Sequence, residues 1–170
     1  ENMKINISGL MSLINEYDRK INTLSFNVKR EVYDVSTQEL DGTVNVIEKN
    51  KEDFTRDLRE FEDAVSKLTR LKTILYEKNN SYHLSDGRTI QSAIVDNCNL
   101  RRLENIYTSI LDCRSSKTRC SEVNNSYFQC KDINYDALEI RDKLDTIKEK
   151  IQATDLEISK LNSEMFEIDL

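Results

Sequence analysis

Apolar residues recur at alternating intervals of four and three along two stretches of this chain. The first reads Leu10, Ile14, Tyr17, Ile21, Leu24 and Val28. The second reads Ile140, Leu144, Ile147, Ile151, Thr154, Ile158, Leu161, Met165 and Ile168. Such a ladder lays one apolar seam along a helix and leaves its other faces to solvent. A third stretch carries Ile47, Phe54, Leu58, Phe61, Val65, Leu68 and Leu75, with Lys51 and Lys72 falling in seam slots. A cation there sets register or marks an exposed end. A fourth stretch, Ile90, Ala93, Ile94, Leu100, Leu103, Tyr107, Ile110 and Leu111, is wider and less regular. Together they predict four helices at about residues 4–33, 47–79, 90–112 and 134–166, within one helical domain spanning 1–170.

The segments between these helices carry turn chemistry. Asp34 to Val46 is polar and β-leaning, with Asp41–Gly42 as its turn. Asn79–Asn80, Ser81 and Asp86–Gly87 interrupt the chain before Thr89, whose hydroxyl suits a helix N-cap. Between Cys113 and Ile133 the helical period vanishes. Asn124–Asn125 there predicts a small β-hairpin at about 118–131, with an irregular loop as the alternative. In that hairpin Arg119 lies opposite Cys130 and Cys120 opposite Gln129, so Cys120 and Cys130 face apart. The expected fold class is therefore all-α: long antiparallel helices forming a coiled-coil-like bundle, with this hairpin as its one addition.

A helix of ~30 residues is about 45 Å long, against a diameter of ~31 Å for a compact domain of this size. Helices of that length protrude, and a seam that outruns its partner helix stays wet. Each buried Leu or Ile stabilises by roughly 1.5–3 kcal/mol, which favours a second chain. A homo-oligomer is expected, with Leu10, Ile14, Tyr17, Ile21, Leu24, Val28, Ile147, Ile151, Ile158 and Leu161 as seam and interface.

Composition narrows the possibilities. Charged residues make up 33% of the chain and there is no proline, which suits helices with narrow apolar stripes. The net charge of −6 argues against nucleic acid or an anionic membrane as the main partner. The basic patch Arg114, Lys117, Arg119 is too small to reverse that inference. The uncharged run Ile5 to Asn15 is about half the ~20 residues a membrane span needs. After Met3 and Lys4 it is also broken by Asn6, Ser8, Gly9 and Ser12, with no small-residue cleavage site, so no signal peptide is expected. Glu1 and Asn2 precede a natural-looking start at Met3 and read as vector residues. The four cysteines are irregularly spaced. Cys98 and Cys113 would lie ~22 Å apart on one helix, so reduced thiols in a cytoplasmic protein are expected.

Catalytic and metal patterns are sparse. The only histidine is His83, beside Ser81, Ser85 and Asp86 in a turn, and neighbours in one turn rarely make a catalytic set. A bundle di-iron site needs a histidine on each of two helices. The closest cysteines, Cys113 and Cys120, lack zinc-site spacing. Gly9, Gly42 and Gly87 are too far apart for a phosphate loop. Asp53, Asp57 and Glu60, interleaved with Arg56 and Arg59, read as a charged outer helix face. No catalytic residue, cofactor or metal is expected.

The run Asp86–Gly87–Arg88–Thr89–Ile90, with Asn79 before it and Ala93, Ile94 and Leu100 after it, resembles a motif of the septicolysin-labelled family. These are small bacterial helical proteins of unknown function. That family's last helix carries Asp-x-x-Ile-Gln-x-x-Asn-Trp. Asp155, Ile158 and Asn162 match it, while Ser159 and Ser163 replace the Gln and Trp. The Arg-Asp pair of the family's third helix is replaced by Asn97 and Cys98. The resemblance covers the second half well and the first half by helical pattern alone. It implies a helical fold and self-association, with no chemistry to carry over.

Two sets of residues are singled out beyond the seam. Asp86, Gly87, Arg88 and Thr89 form a structural turn in which Gly87 supplies an unusual backbone angle and Arg88 pairs with a carboxylate. Asp155 and Asn162, seven apart on one helix face, flank the seam and either fix register or form a recognition strip. The expected function is a non-enzymatic oligomeric scaffold or protein-interaction module. The alternatives are a membrane-active cytolysin, which the family label suggests, and a protein with a ligand site at a subunit interface.

Overall fold

The structure, a computed structural model, describes residues 2–170. In chain order it runs β1 (Asn2–Ile5), α1 (Ile7–Arg30), β2 (Val35–Gln38), β3 (Val44–Glu48), α2 (Lys51–Ser81), α3 (Ile90–Asp112), β4 (Ser116–Glu122), β5 (Asn125–Lys131), α4 (Ala137–Asn162) and β6 (Phe166–Asp169). The fold is mixed α/β, which corrects the all-α, coiled-coil-like expectation. Three two-stranded antiparallel sheets, β1–β6, β2–β3 and β4–β5, accompany the helices.

The terminal sheet accounts for much of the error. Ile5 faces Phe166 and Met3 faces Ile168 across β1–β6. Met3, Ile5 and Phe166, Ile168, Leu170 alternate with period two, a strand signature. The ladder of sevens runs through Met165 and Ile168 and masks it. Helix α4 stops at Asn162, and Ile168 is buried from a strand instead. The segment read as a β-leaning linker is a complete hairpin. Glu39 donates to Thr43 O at 2.8 Å and Gly42 to Glu39 O at 2.9 Å. Gly42 has φ 90°, the left-handed region that glycine enters without steric cost.

The second hairpin is shifted by two residues from its expected register. Arg119 pairs with Phe128, Cys120 with Tyr127 and Lys117 with Cys130. The turn falls at Val123–Asn124, between Glu122 and Asn125, and neither turn residue takes positive φ. An even shift keeps faces unchanged, so Cys120 and Cys130 still point apart. All four cysteines are free thiols.

The chain divides into two compact units: residues up to Ser81 with Leu161–Leu170, and Tyr82–Lys160. Each places a β-hairpin between two helices. In the first unit α1 packs on α2 around Ile5, Leu10, Ile14, Leu71 and Ile168. Leu68, Leu75 and Phe166 are among the residues that border this core. Gly9 permits the close approach of β1 to α1, since a Cβ there would lie 3.0 Å from Ile5 Cγ1. Asn6 caps α1 by accepting from Gly9 N–H at 2.8 Å.

The α2 seam differs from its sequence pattern in two ways: Ile47, expected to open it, lies exposed in β3, and one column is displaced by one residue. Asp57, Ala64 and Leu71 are buried where Leu58, Val65 and Lys72 were expected. Lys72 thus lies outside the seam and pairs with Asp18 at 3.7 Å. Asp57 is not on an outer charged face. It is 6% exposed and accepts from Arg56 Nε at 2.9 Å.

Candidate functional site

The second unit holds a cluster of polar interactions built on the turn before α3. Leu84 N–H donates to Arg88 O at 2.8 Å, and Gly87 N–H to Leu84 O at 3.0 Å. His83 and Thr89 face each other as an isolated bridge. Gly87 has φ 88°, so this tight reversal requires a residue without a Cβ. Leu84 and Ile90 are buried on either side and pin the turn to its unit. Thr89 accepts from Ser92 N–H at 3.1 Å and caps α3.

Arg88 is the hub. Its Nε donates to Asp86 Oδ2 at 2.8 Å and its Nη1 to Asp96 Oδ2 at 3.0 Å. Its Nη2 donates to Thr154 Oγ1 at 3.1 Å, which ties the turn to α4. The planar guanidinium fork suits three partners in fixed directions. The Arg88 guanidinium is the first cause holding Asp86 below the ordinary carboxylate range, and the Arg88 backbone N–H is the second. In return Asp86, then Asp96, raises Arg88 above its usual value. A second tie runs from Ser85, whose hydroxyl donates to Glu157 and whose N–H reaches Glu157 Oε2 at 3.3 Å.

One turn further along, α3 and α4 are joined by an amide and an ion pair. Asn97, 1% exposed, donates from Nδ2 to Asp155 Oδ1 at 2.8 Å and to Ile151 O at 3.3 Å. Arg101 Nη2 meets Asp155 Oδ2 at 2.7 Å. Asn97 Oδ1 has no partner. Ser85, Asp86, Arg88, Lys150, Ala153, Thr154 and Glu157 line an open pocket of about 190 Å³. Drug-sized ligand sites span roughly 300–1,000 Å³, so this one suits at most a small ion or fragment.

The structure brings Asp86, Gly87, Arg88 and Thr89 together with Asp155 in the second unit. Leu10, Ile14 and Leu24 of the seam are buried inside the first unit, with Tyr17, Ile21 and Val28 half-buried beside them. On α4, Ile151 is buried, while Ile147, Ile158 and Leu161 are half-buried. Asn162 is half-buried, with its Oδ1 unpaired. Sequence reasoning missed Ser85, Asp96, Arg101 and Glu157 as partners. The signal available for Asp96 was its position in the second turn of α3, within reach of an arginine just before the helix. Among the described residues no group of three or more His, Cys, Asp or Glu could hold a metal ion. Among them, too, no helix is long and apolar enough to cross a membrane.

Residues 40–170, including this whole cluster, match the family of unknown function DUF6847. The chain belongs to this family. The match does not confirm the septicolysin label suggested by the Asp86–Ile90 motif; the unknown-function status of the resembled proteins is what agrees. No curated protein matches the chain. The fold is similar to that in the crystal structure of a functionally unknown conserved protein from Corynebacterium diphtheriae. The TM-score is 0.63 at 19% identity, over 98% of this chain and 100% of that one. This DUF6847 member thus shares its fold, and at 19% identity its fold alone, with that protein.

Proposed function

We propose that the protein is a non-enzymatic, self-associating interaction module, and that its two β-hairpins provide the contact surfaces. The observation that carries this reading is the exposure of both hairpins. Every residue of β2, β3 and β5 is exposed, and in β4 all but Cys120. An isolated two-stranded hairpin is marginally stable in water, and three strands or a packed face are needed to secure it. These hairpins nonetheless carry Val44, Val46 and Ile47 in one, and Tyr127 and Phe128 in the other, at 43–61% exposure. Bare strand edges with apolar side chains are templates for pairing with another chain. The ion pairs of the Asp86–Thr89 turn fit a clamp between α3 and α4 better than catalysis, because Arg88 is fully engaged with its neighbours.

Sedimentation velocity across a concentration series tests the reading. A species that grows with concentration is expected, and a constant monomer sinks the proposal. A second reading, a small-ligand protein, is favoured by the pocket beside Arg88 and Lys150. A thermal-shift screen with small carboxylates and phosphates tests it, and a flat response removes it.

A further inference from the structure

The two exposed hairpins differ in charge. From Val35 to Glu48 the charged residues are Glu39, Asp41 and Glu48, with no Lys or Arg. From Ser116 to Lys131 they are Lys117, Arg119 and Lys131, against Glu122 alone. Glu122 is itself engaged, accepting from Tyr127 Oη at 3.3 Å. The basic side chains are organised around an aromatic ring. Arg119 is paired with Phe128 across the strands, and Lys117 Nζ sits 4.7 Å from the Phe128 ring centroid. This puts two cations and a ring on one face. On the acidic hairpin Val44 and Val46 share a face, each more than half exposed.

Each sheet is two-stranded, so every one of these four strands has an edge without a β partner among the described residues. Like charges brought together across strands oppose pairing, whereas opposite charges support it. Two acidic hairpins therefore repel each other, as do two basic ones. An acidic and a basic hairpin attract.

We propose that the β2–β3 hairpin of one copy pairs edge to edge with the β4–β5 hairpin of another, opposite charges across the new strand pair selecting the partner. This rests on the self-association proposed above and specifies its surfaces. A two-fold axis makes the contact reciprocal and closes it as a dimer, whereas any other rotation extends it to a ring or a filament. The main-chain edges supply affinity and the charges supply selectivity and encounter rate. Salt weakens the contact as the Debye length shortens, from ~10 Å at 0.1 M.

The test is a charge swap followed by sedimentation velocity, with helix content checked by circular dichroism. The wild type is compared with E39K/E48K, which reverses most of the acidic hairpin, and with K117E/R119E, which reverses the basic one. Asp41 is left intact because it accepts from Thr43 N–H within the turn. Wild-type association that weakens with salt is expected. Each variant alone should lose association, and an equimolar mixture of the two should recover it, since each then offers the charge the other lacks. The recovery shows that the variants are folded. If the wild type associates but both variants associate equally well, the pairing is overturned and self-association stands. Variants that stay monomeric when mixed also overturn the pairing. A wild type that never associates overturns the self-association itself.

Discussion

The two units use one plan, a helix, a β-hairpin and a second helix, but hold it together by different chemistry. Both first helices begin with a buried isoleucine, Ile7 in α1 and Ile90 in α3, after a side-chain N-cap. Four residues in, α1 places Leu10 and α3 places Ala93. At the eighth position α1 places Ile14 and α3 places Asn97. The first unit is thus closed by aliphatic packing and a terminal sheet. The second is closed by Asn97, Asp155, Arg101 and the Arg88 fork. Aliphatic contact tolerates sliding, whereas directional hydrogen bonds admit one register. The comparison teaches that the polar unit is built for a defined helix alignment, at some cost in burial.

The largest effect belongs to the aliphatic unit. Leu71 is fully buried in the core with Leu10 and Ile14. Leu71→Ala removes its burial and leaves a cavity, and is expected to cost about 2–5 kcal/mol. Urea unfolding measures it, and a loss below about 1 kcal/mol would mean that the first unit is not held by this core.

The polar unit should respond in a different pattern. Asp155→Ala leaves Asn97 Nδ2 without its carboxylate and Arg101 without its partner. A loss of roughly 1–3 kcal/mol is expected, the penalty of a buried donor left unsatisfied. Asn97→Ile with Asp155→Ala places an aliphatic pair where the first unit already has Ile14, and should recover most of that loss. Chemical denaturation of both single variants and the double one completes the cycle. If the double variant is as unstable as the sum of the singles, Asn97 and Asp155 act independently and their hydrogen bond does not hold the second unit together.

Much of this contrast was written in the sequence, but unevenly. The heptad ladders located the helices because an apolar stripe four and three apart has few other interpretations. They failed at the ends, where Met165 and Ile168 extend the ladder while Phe166, Ile168 and Leu170 also satisfy a strand. Only pairing with the distant β1 decides between the two, and one-dimensional periodicity does not contain it. Asp57 reads as surface because aspartate usually is. It is buried because Ala64 and Leu71 set the seam's second column one residue earlier than the leucine-rich pattern implies. The Asp86–Thr89 turn was legible from Gly87 and Thr89, whose roles are local. Its ties to Thr154 and Glu157 were not, because they join residues far apart in the chain.

The smallest effect separates two turns that look alike. Asp41 in the first unit and Asp86 in the second are both held below the ordinary carboxylate value of 3.8. For Asp41 the main cause is the backbone N–H of Thr43, with that residue's side chain next. For Asp86 it is the Arg88 side chain. A carboxyl whose folded pKa is depressed contributes stability that is fully present above its unfolded value. That contribution is lost as pH falls through the lower, folded value. Both turns should therefore hold at neutral pH and loosen only below about pH 4. Arg88→Gln removes the cation from one turn alone. Carboxyl-carbon NMR titration should then show Asp86 rising toward its ordinary value while Asp41 stays put. Equal movement of the two would show that general charge, and not the Arg88 fork, governs the second unit's turn.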